Sequence, residues 1–138
     1  STVKEEIQGV LRSIVILRDG GCFIRSLRNC NGEPGEAVLQ ADHLITRSNN
    51  ETYADHRLVV CVCRGCHFWK KYHKPQYDAI VKSLLPTERV NLWERCEQDS
   101  WRPKKKGAHD FKLELVALKQ VFSKIKLELG YKIPRLDT

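Results

Sequence analysis

The sequence predicts a small α+β domain: a leading helix, two strands, a short helix that closes over them, and further helices behind. Three observations predict it. Apolar residues recur at helical intervals at both ends of the chain, as Val3, Ile7, Val10, Leu11, Ile14 and Leu17, and as Leu115, Leu118, Phe122, Ile125 and Leu129. Between them lie two short stretches rich in β-branched residues, 37–45 and 57–63. At the end of the second stretch three cysteines fall within six positions, Cys61, Cys63 and Cys66. A chain of 138 residues makes one domain, and with 41% apolar residues its core is modest, so a structural metal is an expected staple.

Each element has a local reason. Thr2 and Glu5 have capping-box spacing at the start of the first helix, and "RDGG" at 18–21 offers glycines for its left-handed exit. Residues 22–36 are turn-rich, with Asn31-Gly32 and Pro34-Gly35 as punctuation. "AVLQADHLI" reads as a strand ending near Asp42-His43, "TRSNNETYADH" as a loop, and "RLVVCVC" as the second strand. A short helix follows from Cys66 and breaks before Pro75, which suits the first position of the next helix, "PQYDAIVKSLL". Pro86 closes that segment, and residues 87–98 form another helix. "SWRPKKKGAH" is a basic linker, after which Asp110 caps a final helix that Gly130 is expected to end.

The formal charge is +7, with an isoelectric point near 9.2, which favours an anionic partner. No apolar run approaches the length of a membrane span, and the first residues lack the layout of a signal peptide, so no membrane partner and an intracellular setting are expected. In that setting six cysteines read as metal ligands rather than as the disulfides of a secreted domain. Cys63 and Cys66 form a C-x-x-C pair on a tight turn, the geometry that presents two thiolates to one tetrahedral zinc. Cys22 and Cys30 are the candidate second pair, separated by more residues than such pairs usually are. Cys61 alternates onto the same strand face as Cys63 and could replace it as a ligand, but five thiolates are too many for one zinc and a buried thiol is the favoured reading; Cys96 reads as a packing residue.

Asp42-His43 ends one strand, and His67 follows the cysteine turn at the start of a helix. If the strands pair and the helix folds back across them, these three residues converge. A carboxylate and an imidazole can hold a divalent cation against a phosphate oxygen, while a second imidazole takes a proton from the attacking water. Histidine's ordinary pKa suits that base. The constellation therefore fits phosphodiester hydrolysis.

"ADHLI", followed about twenty residues later by "LVVCVCRGCHFWKK", resembles the HNH nuclease family, whose core is a ββα-metal (His-Me) finger. "RDGGC" and the C-x-x-C-H-x-x-K ending resemble its zinc-stapled branch, and the likeness covers roughly residues 18–71. The resemblance implies that His43 is the general base, that Asp42 and His67 bind a catalytic Mg2+ or Mn2+, and that Cys22, Cys30, Cys63 and Cys66 hold a structural zinc. It places Lys70 beside the substrate phosphate. The middle Asn of the family pattern is replaced: counting from the cysteine turn lands on Leu58 or on His56. His56, Asn49 or Asn50 would then order the loop between the strands. The helical tail is similar in layout to the phage recombination nucleases of the NinG/Rap group, which implies a phage or mobile-element source. It also implies branched or double-stranded DNA as partner and the cytoplasm of a bacterial or phage-infected cell as location.

Residues 1–74 would thus form the nuclease core with its leading helix and zinc site, and 75–138 a helical extension packed on it. Arg64, Lys70, Lys71, Lys74, Lys104 and Lys105, with Arg102 and Lys106, are the candidate phosphate contacts. Trp69 and Trp101 could stack on bases, although Trp69 could equally pack its helix onto the sheet. The last helix's apolar stripe could pack on the first helix in a monomer or pair two copies in a homodimer. The alternative to an enzyme is a non-catalytic zinc module that binds nucleic acid.

Overall fold

A computed structural model describes residues 1–30, 38–99 and 110–132. The expected turns at Asn31-Gly32 and Pro34-Gly35 lie outside these residues, as do Trp101, Arg102, Lys104, Lys105 and Lys106. The architecture is α+β. Six helices, α1 (Val3–Asp19), α2 (Arg25–Arg28), α3 (Arg64–Tyr72), α4 (Lys74–Leu84), α5 (Thr87–Asp99) and α6 (Phe111–Lys132), surround an antiparallel pair, β1 (Leu39–His43) and β2 (Val59–Cys63).

The α1 ends behave as their residues dictate. The Thr2 hydroxyl accepts from the Glu5 amide at 3.2 Å and the Glu5 carboxylate reaches back to the Thr2 amide, closing the capping box. Gly20 takes φ 70°, a left-handed conformation that costs glycine little, and its amide returns to the Ile16 carbonyl. Ile7, Leu11, Ile14 and Val15 form the buried stripe between. It covers both strands, and α6 lies along the same helix with Leu115 and Leu118 buried. The stripe expected for α6 is therefore partly spent against α1. Asp110 caps α6 by accepting from the Leu113 amide, but the helix runs through Gly130 to Lys132 rather than ending there. A glycine within a helix costs about 1 kcal/mol, too little to stop one already propagating.

Leu39 pairs with Cys63, Gln40 with Val62, Ala41 with Cys61, Asp42 with Val60 and His43 with Val59. Two isolated strands would leave two open edges. Here α1 covers one edge and, with Phe23 and Arg89, the other. Arg12 Nε donates to the Leu39 carbonyl (2.9 Å) and Gln8 Nε2 to the Ala41 carbonyl (3.5 Å). On the far edge Asp19 Oδ2 accepts the Cys61 amide (2.9 Å), and Arg18 Nη2 donates to the Val59 carbonyl (2.6 Å), which also accepts from Arg89 (3.1 Å). The Phe23 amide donates to the Cys61 carbonyl at 2.7 Å. Helix termini and arginine forks thus stand in for third and fourth strands. Every residue of β2 is buried, so this strand is the spine of the core.

α3 begins directly after β2 and folds back against both strands, with α4 packed on α3. A single apolar cluster runs from Ile7 through β2 to Tyr77, Val81, Trp93, Leu115 and Leu118, and so crosses residue 74. No described helix is long and apolar enough to cross a membrane.

Candidate functional site

Two groups of side chains hang from the strand pair and the start of α3. The first is a cysteine cluster that could hold a metal ion. The ligand sulfurs of Cys22, Cys30, Cys63 and Cys66 all lie within 4.8 Å of one another, and among the described residues no other group of three or more His, Cys, Asp or Glu converges in this way. A tetrahedral zinc holds its thiolates about 3.8 Å apart, so these four need draw in by only about an ångström. Cys63 is the N-cap of α3, and its sulfur accepts the Cys66 amide at 3.4 Å, which sets both sulfurs on one side of the turn. The wide spacing of Cys22 and Cys30 has a cause that the sequence concealed. The one-turn helix α2 fills residues 25–28, and Asn29 leaves it in the left-handed conformation (φ 52°), which returns the chain to Cys22.

The protons of these thiols are unevenly shared. Hydrogen bonding from Cys66 lowers the Cys22 thiol to about 5. The same bond, with burial, raises Cys66, and burial raises Cys30. A divalent cation held by all four sulfurs would keep them together as thiolates. Zinc therefore fits this donor set. Cys61, fully buried and outside the four, is pushed up to about 12 by burial, which keeps it a neutral core thiol. Cys96 is half-buried, and burial raises its thiol as well.

The second group is centred on Asp42. This carboxylate, 4% exposed, takes both Lys70 Nζ bonds (3.0 and 2.8 Å) and the Tyr77 hydroxyl (2.6 Å), and lies 3.3 Å from His67 Nε2. Burial alone would raise its pKa, but His67, Lys70 and Tyr77 together hold it below the usual carboxylate value. Tyr77, buried beside that charge, is pushed well above its ordinary value and stays a donor. His67 Nδ1 bonds Gln40 Oε1 at 2.6 Å. An amide oxygen only accepts, so Nδ1 carries a proton, and Nε2 is turned toward Asp42 Oδ1. Adjacent ligands on an octahedral Mg2+ stand about 3.0 Å apart, so this pair is close to the spacing such an ion needs.

His43 sits next to Asp42 but has different partners. Its Nε2 donates to the Tyr53 carbonyl at 2.9 Å, and its ring stacks on Tyr53 with centroids 5.1 Å apart. Nδ1 is then the unprotonated nitrogen, and it is buried with no partner. Burial, helped by the Arg47 charge, lowers the pKa, so the imidazole is neutral near pH 7. The loop that supplies the Tyr53 carbonyl is pinned to α1: the Tyr53 hydroxyl donates to the Lys4 carbonyl (2.9 Å), and Lys4 Nζ lies 4.4 Å over its ring.

Asp42, His43 and His67 are thus brought together, whereas His56 is not with them. It opens the 3-10 turn before β2, where Arg18, Asp55, Arg57 and Arg89 surround it and burial lowers its pKa. Loop ordering instead involves Asn49, 3% exposed, whose side chain accepts the Glu51 amide and whose carbonyl accepts Thr52. Leu58, the other replacement for the middle Asn, is a core residue. Among the candidate phosphate contacts, Lys70 is turned inward onto Asp42 and Lys74 pairs with Asp78 at 2.6 Å. Arg64 and Lys71 have no carboxylate partner among the described residues and line an open groove of about 820 Å³ beside His67. Gln40, Tyr53 and Tyr77, which orient this group, carry no motif signal; they act through a side-chain amide, a backbone carbonyl and a phenol from separate elements. No family model matches the chain, and neither does any curated protein or solved structure.

Proposed function

We propose that this chain is a metal-dependent DNA endonuclease of the HNH type, hydrolysing phosphodiester bonds on a ββα-metal core stapled by zinc at Cys22, Cys30, Cys63 and Cys66. The observation that carries the reading is the placement of the two imidazoles. Tyr53 leaves His43 Nδ1 as the unprotonated nitrogen, while Gln40 orients His67 so that Nε2 lies 3.3 Å from Asp42. One imidazole is prepared as a base and the other as a ligand.

In hydrolysis a water attacks phosphorus, the bond to the 3′ oxygen breaks, and the water's proton must leave. His43 Nδ1 takes that proton, and the Tyr53 carbonyl stabilises the imidazolium through Nε2. Asp42 and His67 would hold Mg2+ or Mn2+, which supplies positive charge to the phosphate and the departing oxygen. Gln40 and Tyr77 fix the orientation of those two ligands, and Lys70 neutralises Asp42. Lys71 and Arg64 bind backbone phosphates along the groove. The HNH resemblance extends this to a phage or mobile-element enzyme acting on double-stranded or branched DNA in the bacterial cytoplasm.

A second reading has its own support. Lys70 and Tyr77 already satisfy Asp42 without a divalent cation, and His43 Nδ1 is covered. A zinc module that binds nucleic acid without cutting it would look the same at Asp42. Nicking of supercoiled plasmid with Mg2+ or Mn2+ separates the two. The endonuclease reading predicts open-circular product from the parent and a loss of roughly a hundredfold or more in His43→Ala; an inert parent, or an equally active variant, refutes it.

A further inference from the structure

Among the described residues Tyr53, Tyr77 and Trp93 are buried and Phe23, Trp69, Phe111 and Phe122 half-buried, yet Phe68 is 64% and Tyr72 66% exposed on α3. They stand one helical turn apart, with ring centroids 5.5 Å apart in an edge-to-face pair. Such a pair covers none of the core, and its exposure stabilises nothing in the fold. Its surroundings are cationic. Phe68 lines the open groove with Arg64, His67 and Lys71, and Lys71 Nζ approaches the Tyr72 ring to 5.8 Å. By contrast Trp69, the sequence candidate for stacking, is half-buried between Arg28 (4.4 Å from its ring) and His73 (5.0 Å). Its faces are already used.

Flat exposed rings beside cations that have no carboxylate partner among the described residues match the chemistry of a nucleic-acid strand, which offers base faces next to phosphates. We propose that Phe68 and Tyr72 form a stacking site for unpaired nucleobases, with Arg64 and Lys71 engaging the adjoining phosphates. This rests on the nucleic-acid reading above but not on catalysis. It gives α3 two roles: His67 faces Asp42, while the aromatic pair holds a base splayed from the strand beside it.

The test compares binding, without added divalent metal, of a fluorescein-labelled thymidine strand of roughly 15 nucleotides and an abasic strand of equal length and charge. The parent binds the base-bearing strand more tightly. In the Phe68→Ala/Tyr72→Ala variant that affinity falls roughly tenfold or more, abasic binding stays within about twofold, and Phe68→Trp retains the preference. Both residues are exposed, so folding is undisturbed, and circular dichroism verifies it. Equal loss on both strands, no loss on either, or no binding of either strand by the parent overturns the site. So does a parent dimer that the variant splits while strand binding is unchanged, which assigns the rings to a second copy of the chain. A parent that fails to nick plasmid yet shows the ring-dependent preference keeps this site and loses only the endonuclease reading.

Discussion

The cysteine cluster and the Asp42 cluster share the β1–β2 pair and the first turn of α3, yet they are built on opposite principles. Cys66 and His67 are neighbours in sequence, and a step of about 100° around the helix sends one toward the sulfurs and the other toward Asp42. The cysteine cluster consists of like groups, which a bound divalent cation would hold together as thiolates. The Asp42 cluster consists of unlike groups that have already neutralised one another, and among the described residues it leaves buried His43 Nδ1 without a partner. With zinc bound, the first would hold the fold together. The second is held by the fold, and it has spare chemical capacity.

That contrast breaks most visibly at the staple. Removing zinc by chelation, or Cys66→Ser, should abolish cooperative thermal unfolding, because structural zinc supplies on the order of 10 kcal/mol of folding free energy. Cys61→Ser, which puts a hydroxyl into a buried non-ligand site, should cost only about 1–3 kcal/mol and leave the zinc content unchanged. Equal effects of the two substitutions in a melting series would show that the four sulfurs are not a distinct centre.

The Asp42 cluster should respond less and in a different way. Lys70→Met leaves a buried carboxylate with Tyr77 and His67 as its partners, a change of about 3 kcal/mol or roughly 10 °C in melting temperature. If Asp42 and His67 can take a divalent ion, millimolar Mn2+ should restore much of that loss in the variant and do little for the parent. Calorimetry with and without Mn2+ checks this, and a variant indifferent to the ion would favour the non-catalytic reading.

How far the sequence disclosed these two regions follows from range and chemistry. The capping box, the glycine exit of α1, both strands and the C-x-x-C turn are local patterns, so they could be read within a few residues. The Cys22–Cys30 pairing was nominated by residue type, but its geometry depends on Asn29 leaving α2 in a left-handed conformation, which no periodicity announces. Gln40, Tyr53 and Tyr77 touch His67, His43 and Asp42 across 27, 10 and 35 residues of chain, and such contacts appear only once the strands are paired. The inward turn of Lys70 was hidden for the same reason. Position counting suggested His56 for the loop-ordering role, whereas the fold places it among arginines. Gly130 misled because a local helix breaker was set against a long helix supported by α1.

His56 provides the smallest test, a histidine outside both regions. Its folded pKa is lowered from the ordinary value of 6.5 by burial, with the Arg18 charge second. Below pH 6.5 the unfolded chain therefore binds a proton that the folded chain refuses, and this contribution to stability falls with pH until the folded pKa is reached. His56→Gln should flatten part of that acid-side slope in a series of denaturant midpoints and leave plasmid nicking unchanged. A steeper slope in the variant would contradict the assignment.

The most direct measurement takes zinc content and Mn2+-dependent plasmid nicking from the same preparation of His43→Ala, beside the parent. The account predicts about one zinc per chain in both proteins, nicking by the parent, and none detectable above roughly one hundredth of that rate in the variant. Undiminished nicking by His43→Ala, or a parent that carries zinc and cuts with neither Mg2+ nor Mn2+, would contradict it.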